Sequence, residues 1–235
     1  MDIVITTFES RFEILSKHVD SIRQYVNNKI ILVINGEKDA IINEEYRKQV
    51  LSICLKYNNI FPYFFPEIRS LSKMWNNGIL NSTSENILIL NDDLLWSQNL
   101  LEELHTNIKF TDTILLLNNS FSHFVLNRNF IYNFGFFDEK FMGFGWEDSD
   151  FCERYYNKMG EKPDTFYISS LKDLNSNIKQ NGFETTWEKY STVNKEYFSE
   201  KYEFPLAHPY ERGKTLIETE NPYPLEVNFI KNKKI

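Results

Sequence analysis

Asn86-Ile87-Leu88-Ile89-Leu90-Asn91-Asp92-Asp93-Leu94-Leu95-Trp96-Ser97-Gln98-Asn99-Leu100-Leu101 is the stretch from which the rest of the chain is read. Its apolar run, Ile87 to Leu90, stops abruptly at Asn91-Asp92-Asp93. Four apolar residues in a row, with no alternation, fit a strand buried on both faces. In an open α/β sheet, ligands bind beyond the C-terminal ends of the strands. Two carboxylates stand side by side at such an end. Adjacent aspartates repel, so their ionised forms favour a cation beside them. Hard oxygen ligands suit Mg²⁺ or Mn²⁺, and such ions commonly accompany a phosphate. The competing reading is a polar turn leading into a helix near Ser97, since Asp is a good turn residue.

Upstream, Ile3-Val4-Ile5 reads as a first buried strand and Thr6 to Arg11 as a polar loop, with Ser10 as a helix N-cap. Phe12, Leu15, Val19, Ile22 and Val26 recur at helical spacing, and Ile30 to Ile34 follows as a second buried strand ending in Asn35-Gly36-Glu37. Strand, helix and strand in that order predict parallel pairing with a right-handed crossover. A helix over 43–56, a strand over 60–65 closed by Pro66, a helix over 71–80 and one over 97–108 continue the alternation. The expected fold class is therefore α/β, with a mostly parallel, Rossmann-like central sheet. Downstream the pattern changes. Thr113 to Leu117 is a further strand, and the aromatic alternation of Phe121 to Phe130 suggests an antiparallel or mixed edge. A loop over 134–139, a helix over 151–159 stopped by Gly160, a helical stretch over 186–201 and an irregular, proline-rich wrap from Phe204 complete the chain.

With 235 residues, 42% of them hydrophobic and 16% aromatic, the chain can build one large core. We expect a single domain over 1–203 and a C-terminal extension over 204–235. A net charge of −7 argues against nucleic acid as the main partner. No stretch is long and apolar enough to span a bilayer, and the N-terminus lacks a signal-peptide pattern. Cys54 and Cys152 make neither a disulfide framework nor a zinc set, so the simplest setting is the reducing cytoplasm. Lys231 to Lys234 is a basic tail, read as a frayed end, with peripheral contact to anionic lipid as the alternative. There is no GxGxxG after the first strand and no GxSxG, and Gly213-Lys214-Thr215 lacks the earlier glycine of a P-loop.

A second acidic cluster, Glu147-Asp148-Ser149-Asp150, follows Gly143, Gly145 and Trp146. Acids at a helix start are favoured by the dipole, which is one reading. The glycines and the tryptophan favour another: a loop closing on a sugar, with an indole against C–H groups and a carboxylate near a hydroxyl. Such a carboxylate can serve as general base if held within hydrogen-bond reach.

Four places together resemble a family 2-type glycosyltransferase of the GT-A fold. They are Val4-Ile5-Thr6-Thr7-Phe8 with Arg11; Trp75-Asn76-Asn77-Gly78-Ile79, like the family's "WNxGI" helix; Leu90-Asn91-Asp92-Asp93, like the NDD form of its DxD motif; and Phe134 to Glu139 with Gly145-Trp146-Glu147-Asp148-Ser149-Asp150, like its acceptor-side motif. The resemblance covers about the first 160 residues. It implies a nucleotide-sugar-binding half over 1–110 and an acceptor-binding half over 111–203. Asp93 would bind Mn²⁺ or Mg²⁺ at the donor diphosphate, with His208 as a candidate further ligand. Asp92 would contact the ribose or donor sugar, beside Asn91, which departs from a strict DxD. Thr6, Thr7, Phe8 and Arg11 would meet the nucleotide. Asn35 stands where the family offers an acid, so Glu37 or Asp39 is the substitute, and Asn76 would orient the nucleotide-side loop. Asp148 would be the base of an inverting transfer, with Glu147 on the acceptor hydroxyl or donor sugar. Trp146, Asp150 and His123 would face the acceptor.

The implied function is metal-dependent transfer of a sugar from a nucleotide sugar, with UDP as the default, to a glycan or glycolipid hydroxyl in polysaccharide synthesis. A sugar nucleotidyltransferase and a non-catalytic glycan- or nucleotide-binding module on the same scaffold are the alternatives.

Overall fold

The computed structural model describes residues 1–8, 11–36, 42–107, 111–173 and 183–202. The solid apolar runs become the centre of a seven-stranded sheet. Strands β1 (Asp2–Phe8), β2 (Ile30–Asn35), β3 (Ile60–Phe65) and β4 (Asn86–Asn91) pair in parallel, with helices α1 (Phe12–Arg23), α2 (Glu44–Lys56) and α3 (Leu71–Asn81) in the connections. A short strand, β5 (Leu94–Leu95), leads to α4 (Gln98–Asn107). The hairpin β6 (Ile114–Leu117) and β7 (Ser120–Asn127) follows, then α5 (Arg128–Phe134), α6 (Glu147–Met159), β8 (Asp164–Phe166), β9 (Lys172–Asp173) and α7 (Phe183–Tyr202). The order across the sheet is β3-β2-β1-β4-β7-β6-β8, and β5 pairs with β9 in a separate ribbon.

The chain runs from β1 outward to β3, and α3 then carries it back to β4 on the other side of β1. That reversal opens a crevice at the C-terminal ends of β1 and β4, where an open α/β sheet binds its ligands. The two faces of the sheet carry separate cores. Ile3, Ile5, Leu88 and Leu90 pack with α1 and α2 on one face. Val4, Val33 and Ile89 pack with Trp75, Phe124, Phe137 and Phe151 on the other. Helix α3 lies so close to β1 that a Cβ added at Gly78 would stand 2.2 Å from Val4 Cγ1.

Several boundaries differ from expectation. Strand β1 continues through Thr6, Thr7 and Phe8, because ladder pairing with β2 satisfies the backbone whatever the side chain. Ser10 lies outside the described residues, and the residue capping α1 is Arg11, which makes no side-chain cap bond. Strand β7 is no edge: it pairs antiparallel with β4 on one side and β6 on the other. It stops at Asn127, whose side chain accepts from Phe130 N and starts α5. Helix α6 begins at Glu147, so the acids form its first turn. The expected extension over 204–235, with His208, and the segment holding Glu37 and Asp39 lie outside the described residues.

Candidate active site

The end of β4 is tied to the end of β1 by charge. Asp92 is buried, and its Oδ1 accepts from Arg11 Nη2 (2.7 Å) and Nε (3.0 Å). Its Oδ2 accepts from Thr7 Oγ1 (2.5 Å) and Arg11 Nε (2.8 Å). Burial, with the neighbouring charge of Asp93, pushes the Asp92 carboxyl up by more than Arg11 and Thr7 pull it down, so it stands above its usual range. With guanidinium donors on both oxygens, it is the ionised half of a charge-assisted pair. Asp92 is thus spent on Arg11 and Thr7, and the acid that remains at the rim is Asp93. Its side chain is 19% exposed and lies 3.4 Å from Arg11 Nη2.

Among the described residues no three His, Cys, Asp or Glu side chains gather into a metal cage. A single rim carboxylate still fits Mg²⁺ or Mn²⁺ of the kind held by one or two carboxylates and completed by substrate phosphates and water.

On the other face of β4, a cleft of about 460 Å³ opens beside Asn91. Alternation puts Asn91 on the face opposite Leu90. Glu147 and Asp148 line the same cleft, with Ser122, Tyr156, Lys162 and Thr165 among the other walls. The cleft therefore brings the Asn91 end of the first acidic cluster to the second. Glu147 is 5% exposed and its Oε2 has no hydrogen-bond partner. Asp148 Oδ1 accepts from Ser149 N at 2.7 Å, a bond local to the helix start. Burial, and for Glu147 the neighbouring charge of Asp148, raise both carboxyls, Glu147 to about 8. These shifts run against the helix dipole, which favours ionised acids in a first turn.

The remaining expected residues are placed elsewhere. Thr6 is buried in the ladder between Val33 and Asn91, and Phe8 meets Phe144 edge-on at 5.1 Å. Asn35 spends its amide on Arg69, donating to its carbonyl (2.8 Å) and accepting from its N–H (2.7 Å). Asn76 holds the loop after α5: it brackets the Phe137 backbone and donates to Glu139. Asp150 is fully buried and bonded to Arg154, Lys201 and Tyr202, so it faces no acceptor. Burial raises its carboxyl, but Lys201 and Arg154 outweigh this and leave it lowered. The Trp146 indole donates to Ser191 Oγ and packs on Phe198 instead of lining the cleft. His123 pairs with Leu90, on the face away from the cleft, and burial lowers it to about 4. Both its ring nitrogens lack partners.

The sequence reading missed Cys152, Glu153 and Tyr156, which line the cleft. With Asp148 and Ser149 they follow one face of α6, and helical spacing alone would have found them. Lys162 and Thr165 come from beyond α6 and carried no local signal.

A mannosyltransferase from Pyrobaculum calidifontis, solved with GDP-Man and Mn²⁺, superposes with a TM-score of 0.61 at 12% identity, over 88% of this chain and 66% of that one. Glucosyl-3-phosphoglycerate synthase from Mycobacterium tuberculosis, solved with Mn²⁺, UDP and glucosyl-3-phosphoglycerate, gives 0.57 at 10% identity over 97% and 91%. GalNAc-T7 with UDP, GalNAc and Mn²⁺ gives 0.55 at 13% identity over 90% and 52%. The chain thus spans about two thirds of the first of these and about half of the third. At such identities the likeness speaks for the fold, which is GT-A. No curated protein matches the sequence. The family model described as glycosyltransferase like family 2 matches residues 74–206, more than half of the chain, and the protein belongs to that family.

Proposed function

We propose that the protein is a metal-dependent glycosyltransferase that moves a sugar from a nucleoside diphosphate sugar to a hydroxyl of a glycan or glycolipid. The observation carrying this reading is the cleft in which Asn91, beside the Asp92–Asp93 pair, meets the buried Glu147 and the half-buried Asp148. Its neighbours in fold were solved with nucleotides or nucleotide sugars and Mn²⁺, which supports a donor of this class.

Asp93 and Arg11 stand at the donor end. Asp93 would hold the divalent cation, which when bound supplies positive charge against the departing diphosphate. Asp92 does not reach the donor in this reading: it fixes the Arg11 guanidinium, which is thereby held close to Asp93. At the acceptor end Asp148 is the base. Ser149 occupies its Oδ1, leaving Oδ2 for the acceptor hydroxyl. Burial raises its proton affinity, which suits proton removal near neutral pH. Glu147, beside it and without a cationic partner, orients the same hydroxyl. Attack from the face opposite the leaving group inverts the anomeric carbon. The serine, asparagine and tyrosine walls of the cleft offer hydrogen bonds to a polyhydroxyl acceptor.

The test is incubation with a panel of UDP- and GDP-sugars and Mn²⁺, with and without sugar acceptors, following release of nucleoside diphosphate. Acceptor-stimulated release is expected. Pyrophosphate release would instead mark a nucleotidyltransferase, and nucleotide binding without turnover a binding module.

A further inference from the structure

Helix α7 holds the loop between Phe141 and Trp146, which leads directly into the acids of α6. Asn194 is 1% exposed and its amide is fully engaged there. Its Oδ1 accepts from Met142 N at 2.7 Å, and its Nδ2 donates to the carbonyls of Met142 (2.7 Å), Gly145 (2.8 Å) and Phe144 (3.3 Å). One helical turn earlier, Ser191 Oγ takes the Trp146 indole N–H at 3.2 Å. Gly143 lies against Tyr190 so closely that a Cβ would stand 2.3 Å from the ring. Further along, Lys201 bridges Asp138 (3.0 Å) and Asp150 (2.5 Å), tying α7 to both flanks of the loop.

The loop needs this support. Gly143, Gly145 and Trp146 have φ of 54°, 97° and 76°. A left-handed backbone is strained at a tryptophan, whose Cβ crowds the following carbonyl oxygen. Such a backbone persists only where its surroundings over-determine it. The side chain that over-determines it most directly is Asn194, with three carbonyls and one N–H of the loop on a single amide. Immediately after Trp146 come Glu147 and Asp148.

We infer that Asn194 is a positioning residue: through the Met142–Gly145 backbone it sets where the Glu147–Asp148 pair stands in the cleft. The inference rests on the reading that those acids act on the acceptor, but Asn194 itself is not among the residues lining that cleft. Its effect on rate comes from geometry, since a misplacement of about 1 Å in a reacting group can cost on the order of 100-fold.

The experiment pairs Asn194→Ala with Ser191→Ala, a milder change that removes one partly buried bond and serves if the first variant does not fold. Hydrogen exchange is followed by peptide across the whole chain. Asn194→Ala should speed exchange over 141–149 by about tenfold or more, and Ser191→Ala by less, with β1 and β4 unchanged. Turnover with the nucleotide sugar that the wild type uses best, in Mn²⁺, should fall by about 30–100-fold in kcat for Asn194→Ala, with donor KM within about twofold. Unchanged exchange over 141–149 in whichever variants fold overturns the inference. So does a uniform increase across the chain, and so does a loosened loop with wild-type kcat. If the wild type turns over no nucleotide sugar, the functional reading fails, while exchange still decides whether Asn194 holds the loop in front of these acids.

Discussion

Replacing Glu147 by Gln should make the protein more stable as the pH rises, because the site keeps a buried acid without a cationic partner. Glu147 is raised from 4.5 to about 8 by burial and by the adjacent Asp148. Below pH 4 both the folded and the unfolded states carry the proton, and the group contributes nothing. As the pH climbs from 4.5 towards 8, the unfolded state ionises and the folded state does not. Stability is then lost at about 1.4 kcal/mol per pH unit. Three and a half units would give about 5 kcal/mol, an upper bound because Glu147 and Asp148 titrate as a pair. Allowing half for the shared proton leaves about 2 kcal/mol above pH 8. Gln has the same shape and no charge to bury, and its amide can donate to Asp148. At roughly 2–4 °C per kcal/mol for a chain of this size, Glu147→Gln should melt about 4–8 °C above wild type at pH 9. At pH 5 the two should nearly coincide. Thermal unfolding by circular dichroism from pH 5 to 9 measures this directly. A gap that does not grow with pH, or a variant less stable than wild type at pH 9, would refute the electrostatic argument. If Glu147 also orients the acceptor, the same variant loses turnover while it gains stability, the trade-off expected of a site strained for function.

Asp148→Asn should retain Mn²⁺-dependent UDP binding, measured by calorimetry, and lose transfer by at least about 100-fold, the scale of general-base catalysis. Near-normal transfer would remove Asp148 as the base. Asp93→Ala should abolish the Mn²⁺ dependence of nucleotide binding while leaving the fold intact by circular dichroism; metal-dependent binding that persists would move the cation elsewhere. Gly78→Ala should destabilise by about 1–3 kcal/mol despite the better helix propensity of Ala, because the new methyl would stand 2.2 Å from Val4 Cγ1 and α3 must lift from β1. Urea unfolding would show this, and a neutral or stabilising outcome would mean that Val4 simply turns aside.

Much of the scaffold was legible because its strands are solid apolar runs. Ile30 to Ile34 and Ile87 to Leu90 can be buried only in the middle of a sheet, and helices had to cover both of its faces. What local sequence does not carry is order across the sheet. The aromatic alternation of β7 suggested an edge, yet a strand buried between β4 and β6 presents the same letters. Its two faces meet two separate cores, Val125 in one and Phe124 and Leu126 in the other, and only its Ser120 to Ser122 end reaches the cleft. Polar residues at strand ends misled in the same way. Thr6, Thr7 and Asn35 resemble loop residues, but the ladder meets their backbone needs, and the side chains of Thr7 and Asn35 bond to Asp92 and Arg69 far along the chain. Arg11 and Asp92 are 81 residues apart, and Asn76 and Phe137 are 61 apart. No period or motif announces such pairs. For that reason the sequence cannot show that Asn76, Asp92 and Asp150 make their hydrogen bonds to the protein itself.

The two acidic clusters show how the remaining ambiguity is resolved. In the sequence each had a bland reading, a turn for Asp92-Asp93 and a helix cap for Glu147-Asp148, and residue types alone could not choose. Their surroundings differ. Asp92 is ion-paired with Arg11 and bonded to Thr7, which offset part but not all of its burial, and in the proposed function its effect on chemistry runs through the guanidinium it holds. The α6 acids have no such partner: among the described residues no Lys or Arg forms an ion pair with Glu147 or Asp148. A capping carboxylate stands in solvent, gains from the helix dipole and ionises more readily. Glu147 is enclosed, leaves Oε2 without a partner, and ionises less readily. Helix formation gains nothing from that arrangement, and stability loses by it. A cleft that must take a proton from a hydroxyl does gain, because a carboxylate short of solvent and of cations is the stronger base. In the proposed function the first acidic pair is the framework of the donor end and the second its reactive counterpart, and Asn91 lines the cleft with the second.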